Sequence, residues 1–118
     1  SLRLESTPKN PEACLRQVIS YRLLPGRRYR VGVWIKGKRY GVPASVRIAK
    51  MPSWKYLMHL GVNGGINSKA EDAEWQHFTG EFRMPLDHKG TIEVIASTYA
   101  KQGTTAWIDD LTIDLIDE

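Results

Sequence analysis

What most constrains this chain is the spacing of its apolar residues, which alternate with polar ones in short runs cut off by glycine and proline. The pattern is cleanest from Tyr29, where Tyr29, Val31, Val33 and Ile35 fall on one side and Arg30, Gly32, Trp34 and Lys36 on the other. A period of two is that of an extended strand with one buried face. Leu2 to Leu4 alternates in the same way, as does Cys14 to Tyr21, with Leu15 and Ile19 on one side. Further strand-like runs cover Ala44 to Ala49, Trp54 to Val62, Trp75 to Met84, Thr91 to Tyr99 and Thr105 to Ile116. Leu24-Pro25-Gly26-Arg27 between two of them predicts a type II turn, because proline presets φ at the second position and glycine supplies positive φ at the third. The stretch from Asn63 to Asp72, NGGINSKAED, has no period and is rich in turn formers, which predicts a surface loop of the kind that often carries binding residues. Leu86 to Gly90 and Ala100 to Gly103 read as turns, and no segment has a convincing helical period. About eight antiparallel strands, punctuated this regularly, predict an all-β sandwich or barrel.

Composition bounds the rest. A chain of 118 residues with 42% hydrophobic side chains has room for a single domain, 1–118, with an ordinary core. No apolar run approaches the roughly 20 residues of a membrane-spanning helix. The opening SLRLES lacks the basic and apolar regions of a signal peptide, so the expectation is a soluble chain with no membrane partner. Cys14 is the sole cysteine and can form neither an intrachain disulfide nor a thiolate metal site. The net charge of +4, with a pI near 9.3, leans toward acidic partners.

Six segments arrive in an order that resembles a known group of domains: SLRLES, LRQVISY, LLPGRRYRVGVWIKG, EWQHFTGEFRMP, IEVIAS and AWIDDLTID. They are similar to the β-jelly-roll carbohydrate-binding modules of families four, nine and twenty-two. The family's opening strand, of Asn-Gly-x-Phe-Glu type with a tryptophan, has no counterpart in this sequence. The resemblance implies a non-catalytic module that recognises a polysaccharide or oligosaccharide, is linked to a glycan-active catalytic domain, and works secreted or at a cell surface. It also implies that Trp34 stands in the sugar-binding groove. Many relatives hold a structural calcium ion between the N-terminal strand and an Asp of an Asp pair in the last strand, and Asp109-Asp110 match that pair. The N-terminal half of the site has no counterpart in this sequence, so the ion is either lost or completed by other residues; oxygen ligands of this kind suit calcium.

Glycan binding asks for flat aromatic rings to stack on sugar faces and polar side chains to hydrogen-bond the hydroxyls around the ring edge. Trp34 is the leading candidate, since parity places it opposite the core side of its strand. Trp54 and Tyr56 come just before the glycine-rich stretch, where they line the end of a groove or pack in the core. Tyr99 closes a strand beside a turn, and Arg30, Arg47, Glu81 and Arg83 alternate with core positions and project from the sheet. The resemblance implies structural positions for Trp75 and Trp107.

Signatures of catalysis are missing. No serine sits in a Gly-x-Ser-x-Gly elbow, and His59, His77 and His88 show no metal-ligand spacing. NGGINSK lacks the Gly-Lys-Ser/Thr ending of a P-loop. Glycoside hydrolysis needs two carboxylates about 5–10 Å apart, and Glu81 with Glu93, read as lying on adjacent strands, is a pair that would meet it, although small β-sandwiches of this size seldom hydrolyse glycans. Two functions from different classes stay open: the glycan-binding module, whose ligand is neutral or acidic, and a structural or protein-interaction sandwich anchored through Trp34 on a larger enzyme. Nucleic acid is a poor fit, because the basic residues are scattered and not interleaved with stacking aromatics.

Overall fold

The computed structural model describes residues 2–7, 9–10, 12–38, 44–61, 73–86, 89–99 and 104–116. These residues form eight strands: β1 (Leu2–Ser6), β2 (Glu12–Val18), β3 (Arg28–Lys38), β4 (Ala44–Met51), β5 (Lys55–Gly61), β6 (Ala73–Arg83), β7 (Thr91–Tyr99) and β8 (Thr104–Leu115). All strand pairs are antiparallel and build two four-stranded sheets, ordered β1-β8-β3-β6 and β2-β7-β4-β5. That interleaving is the order of a jelly roll, in which consecutive strands repeatedly cross from one sheet to the other. The expected sandwich is therefore present, and no helix of the described residues is long and apolar enough to cross a membrane.

Alternation along β3 does what its sequence implies. Tyr29, Val31, Val33 and Ile35 are buried between the sheets against Val46 and Ile48 of β4, Phe82 of β6 and Ile92, Val94 and Ala96 of β7. Each fully buried Val or Ile contributes about 1.5–3 kcal/mol of transfer free energy, so this layer is the main source of stability. Tyr29 stacks on Phe82 with ring centroids 5.8 Å apart. Its hydroxyl accepts a 2.7 Å hydrogen bond from the Leu24 N–H, which ties the preceding turn to the core. That turn has Gly26 at φ 77° and the Arg27 N–H donating to the Leu24 carbonyl at 3.3 Å, as Pro25-Gly26 predicts.

Three local expectations need correction. The second strand ends at Val18, and Ser20–Arg22 is a single 3-10 turn, so Tyr21 does not continue the alternation. Trp54 is not in a strand with Tyr56: it lies in the turn between β4 and β5 with φ 61°, a left-handed conformation that non-glycine residues seldom adopt. Glu81 and Glu93 are not on adjacent strands, because β6 and β7 belong to different sheets. The two carboxylates leave the sandwich on opposite sides, which removes the paired arrangement that glycoside hydrolysis would need. The segment 62–72 and the turn 100–103, with His88, lie outside the described residues.

Candidate ligand-binding face

The outer face of the β2-β7-β4-β5 sheet gathers polar and aromatic side chains from every strand. Register places Arg16, Ile95, Arg47 and His59 in one row, and Cys14, Ser97, Ser45 and Gly61 in the row beside it. Glu93 and Tyr56 flank Ala49 in the row on the other side. Ile95 leaves the sheet on this solvent side, yet with Ala49 and Met51 it forms a small buried cluster separate from the main core. A residue so placed is buried by the side chains around it on the same face.

Two arginines organise that cover. The Arg16 guanidinium donates from Nε and Nη2 to the two Glu93 carboxylate oxygens at 2.9 and 3.1 Å, a fork-on-fork pair. It also lies 4.7 Å from the Trp54 ring centroid, so the left-handed turn delivers an indole onto this face. Arg47 donates from Nη1 to the Tyr56 hydroxyl at 2.6 Å and from Nη2 to Ser97 Oγ at 2.9 Å. Ser97 Oγ is 3.4 Å from Ser45 Oγ. The rings stay accessible, with Trp54 46% and Tyr56 47% exposed, while Glu93 is only 8% exposed. The face therefore offers two partly exposed aromatic surfaces held by cations over a buried polar layer.

Charges respond to this packing. The Arg16 hydrogen bonds hold the Glu93 carboxyl below its ordinary value of 4.5. Burial, reinforced by the Arg47 charge, holds His59 below its ordinary 6.5. Burial and then the Glu12 charge push the Cys14 thiol up, which keeps it protonated and unreactive near neutrality. Folding thus favours ionised Glu93 and neutral His59. The His59 contribution is present above pH 6.5 and fades as pH falls toward the depressed folded value; the Glu93 contribution follows below pH 4.5. Both act in one direction, so the thermal unfolding midpoint is expected to drop on acidification from about pH 7 to about pH 4. His59→Gln should flatten the upper part of that profile. Melting curves that are level or rise toward acid would contradict this electrostatic description.

The outer face of the other sheet carries a different set. Trp34 points outward from β3, as the alternation implies, and is 39% exposed. It packs against His77 with centroids 4.8 Å apart. Lys36 Nζ sits 5.3 Å from the Trp107 ring centroid, and Trp75 on β6 is 37% exposed. Arg30 pairs with Glu81 at 3.5 Å, and Arg83 Nη1 donates to the Gly26 carbonyl at 2.6 Å.

The residues singled out from the sequence thus separate into two groups on opposite sides of the sandwich. Arg47, Trp54 and Tyr56 come together, and Trp34, Arg30 and Glu81 come together elsewhere. Tyr99 is on β7, in register with Glu12 at the end of the first group's sheet. Arg16, Ser45 and Ser97 carry no signal of binding in the sequence, while Glu93 and His59 stand out there only as a hydrolytic carboxylate and an ordinary histidine, not as parts of this face. The parity of Arg16 with Cys14 and of Glu93 with Ser97 was visible, but what joins them is a pairing of strands 77 residues apart.

Asp109 and Asp110 have a backbone reason to be adjacent. The β3–β8 register shifts between Gly32 and Trp34, and Asp110 takes φ 50° in that irregularity. Its N–H donates to Asp109 Oδ1 at 3.0 Å. Aspartate tolerates the left-handed region better than most residues. Calcium takes 6–8 oxygen ligands. Among the described residues no group of three or more His, Cys, Asp or Glu side chains gathers, so Asp109 and Asp110 would hold such an ion only together with other oxygen donors such as backbone carbonyls.

No protein-family model matches the chain, and no curated protein does. Solved structures do. The chain is similar to a family 4 carbohydrate-binding module at 18% identity and TM-score 0.58, covering 93% of this chain and 64% of that one. It is similar to a second family 16 carbohydrate-binding module at 16% identity and TM-score 0.63, over 94% of this chain and 73% of that one. A third likeness, at 15% identity and TM-score 0.52, is to the CBM22-1–GH10 modules of Clostridium thermocellum xylanase 10B complexed with xylohexaose; it covers 85% of this chain and 19% of that one. At such identities the likeness speaks for the fold, and in fold the chain resembles the jelly-roll carbohydrate-binding modules of families 4, 16 and 22.

Proposed function

We propose that the chain is a non-catalytic carbohydrate-binding module that takes a polysaccharide across the outer face of the β2-β7-β4-β5 sheet. The observation that carries this reading is the pair of half-exposed rings, Trp54 and Tyr56, each set against a guanidinium on one face. Stacking platforms flanked by fixed hydrogen-bond donors suit a sugar, with its apolar ring faces and hydroxyl edge. A module of this kind raises the effective concentration of an attached glycan-active enzyme at its substrate. A GH10 module in one of the similar structures supports that arrangement. Work at a secreted or cell-surface location follows from a polysaccharide target.

Affinity electrophoresis of the domain through gels containing neutral and acidic polysaccharides tests the reading. Retardation in at least one gel is expected, and migration unchanged in every gel would refute glycan binding. A second reading draws on the opposite face, where Trp34, Trp75 and Trp107 share one surface: an accessory sandwich that packs against its enzyme, with Trp34 as anchor. Unchanged migration in all gels, together with a Trp34-dependent contact to the attached domain, would favour it.

A further inference from the structure

Resting on the sugar-binding reading of this face, we infer that its ligand is an acidic glycan, with Arg47 receiving an anionic group carried by a sugar ring. The two arginines of the face are not equivalent. Arg16 spends its charge on Glu93 in a bidentate pair, which leaves that pair neutral. Arg47 has no carboxylate partner among the described residues: its partners are the uncharged hydroxyls of Tyr56 and Ser97. Its Nε is buried and without a hydrogen-bond acceptor. A half-buried guanidinium with an orphaned donor is costly to keep, since burial penalises an unpaired charge and an unmade hydrogen bond.

The surroundings sharpen the case. His59, across from Arg47 in register, adds no negative charge, and neither do Ser45, Ser97 or Ile95 beside it. The carboxylate of the neighbouring row, Glu93, is already paired with Arg16, so an anion arriving here meets Arg47 as a positive site without its own carboxylate. Arginine also has the planar fork that matches a carboxylate or sulfate with two parallel hydrogen bonds, which lysine lacks. Arg47 uses two of its five donors on Tyr56 and Ser97, so capacity is left over. Its cationic carbon lies 5.2 Å from the Tyr56 ring centroid. A sugar stacked on Tyr56 therefore brings a substituent on its ring edge within reach of the guanidinium. A uronic acid meets both demands at once, and a sulfated sugar is the other source of the same chemistry.

Polygalacturonate, its fully methyl-esterified form and dextran sulfate serve as probes, compared by affinity electrophoresis and calorimetry at low and high salt. The esterified polymer keeps the backbone and removes the charge. The intact protein is expected to bind polygalacturonate at least about tenfold more tightly than the ester, with a preference that shrinks as salt rises. In Arg47→Gln the ratio should fall to about one, and Arg47→Lys should restore little of it, since a point charge lacks the fork. Unchanged melting curves would show that both variants fold. Selective retardation by dextran sulfate alone, lost in Arg47→Gln, would support the anion site and assign it to sulfate. Equal affinity for acid and ester, or a preference that survives Arg47→Gln, would overturn the acidic-ligand inference while leaving glycan binding intact. No binding to any polysaccharide, neutral ones included, would remove the sugar-binding reading itself.

Discussion

Gly90→Ala is expected to lower the unfolding free energy by about 3 kcal/mol or more, which for a domain of this size moves the thermal midpoint by about 10 °C. Two independent penalties combine. Gly90 takes φ 89°, a conformation that alanine adopts only with strain of about 1–2 kcal/mol. A Cβ there would also run into the Met51 carbonyl oxygen. That carbonyl has little freedom to retreat, because Met51 ends β4 in register with Thr91, the first residue of β7. The alanine methyl would push apart the very strand pair that it precedes. Gly32→Ala provides the contrast: its Cβ would meet Thr112 Oγ1 at 3.1 Å and His77 Nε2 at 3.3 Å, both side-chain atoms on a solvent face. A small shift of either side chain absorbs it. Denaturant titration of the two variants should therefore give a large loss for Gly90→Ala and a change within about 1 kcal/mol for Gly32→Ala. Equal effects would mean that the β4–β7 start is more yielding than its geometry implies.

Local patterning made much of this fold legible. The alternation from Tyr29 to Ile35 identified the core side of β3 because a strand buried on one face has no other way to satisfy both water and core. Pro25-Gly26 identified its turn because few residues can adopt the backbone it requires. Parity, however, reports only which way a side chain leaves its own strand. It is silent on the sheet to which that strand belongs. In this jelly roll β3 and β4 follow one another in sequence yet lie in opposite sheets, so Trp34 and Arg47, both outward, face away from each other. A second crossing, from β6 to β7, separates Glu81 from Glu93. Trp54 was illegible for a different reason, since a left-handed tryptophan breaks the rule by which its strand was extended. The Arg16–Glu93 pair depends on β2 meeting β7, a contact with no local signal.

The second large effect concerns binding. Tyr56→Ala removes a half-exposed ring and the hydroxyl that accepts from Arg47. Loss of such an aromatic contact at the centre of a site costs roughly 1.4–2.8 kcal/mol, about tenfold to a hundredfold in affinity. Trp54→Ala should act similarly, because the indole is the only aromatic ring the described residues set over Arg16. Neither ring belongs to the main core, so both variants should keep their fold. Trp34→Ala strips another partly exposed ring from the opposite face, where it packs on His77, and so controls for indiscriminate aromatic adsorption.

The direct measurement is isothermal titration calorimetry of the intact domain with the polysaccharide that retards it most, alongside Tyr56→Ala and Trp34→Ala. Affinity should fall at least about tenfold in Tyr56→Ala and stay within about twofold in Trp34→Ala. Loss of binding in Trp34→Ala with Tyr56→Ala unaffected would contradict the assignment and place the sugar on the other sheet.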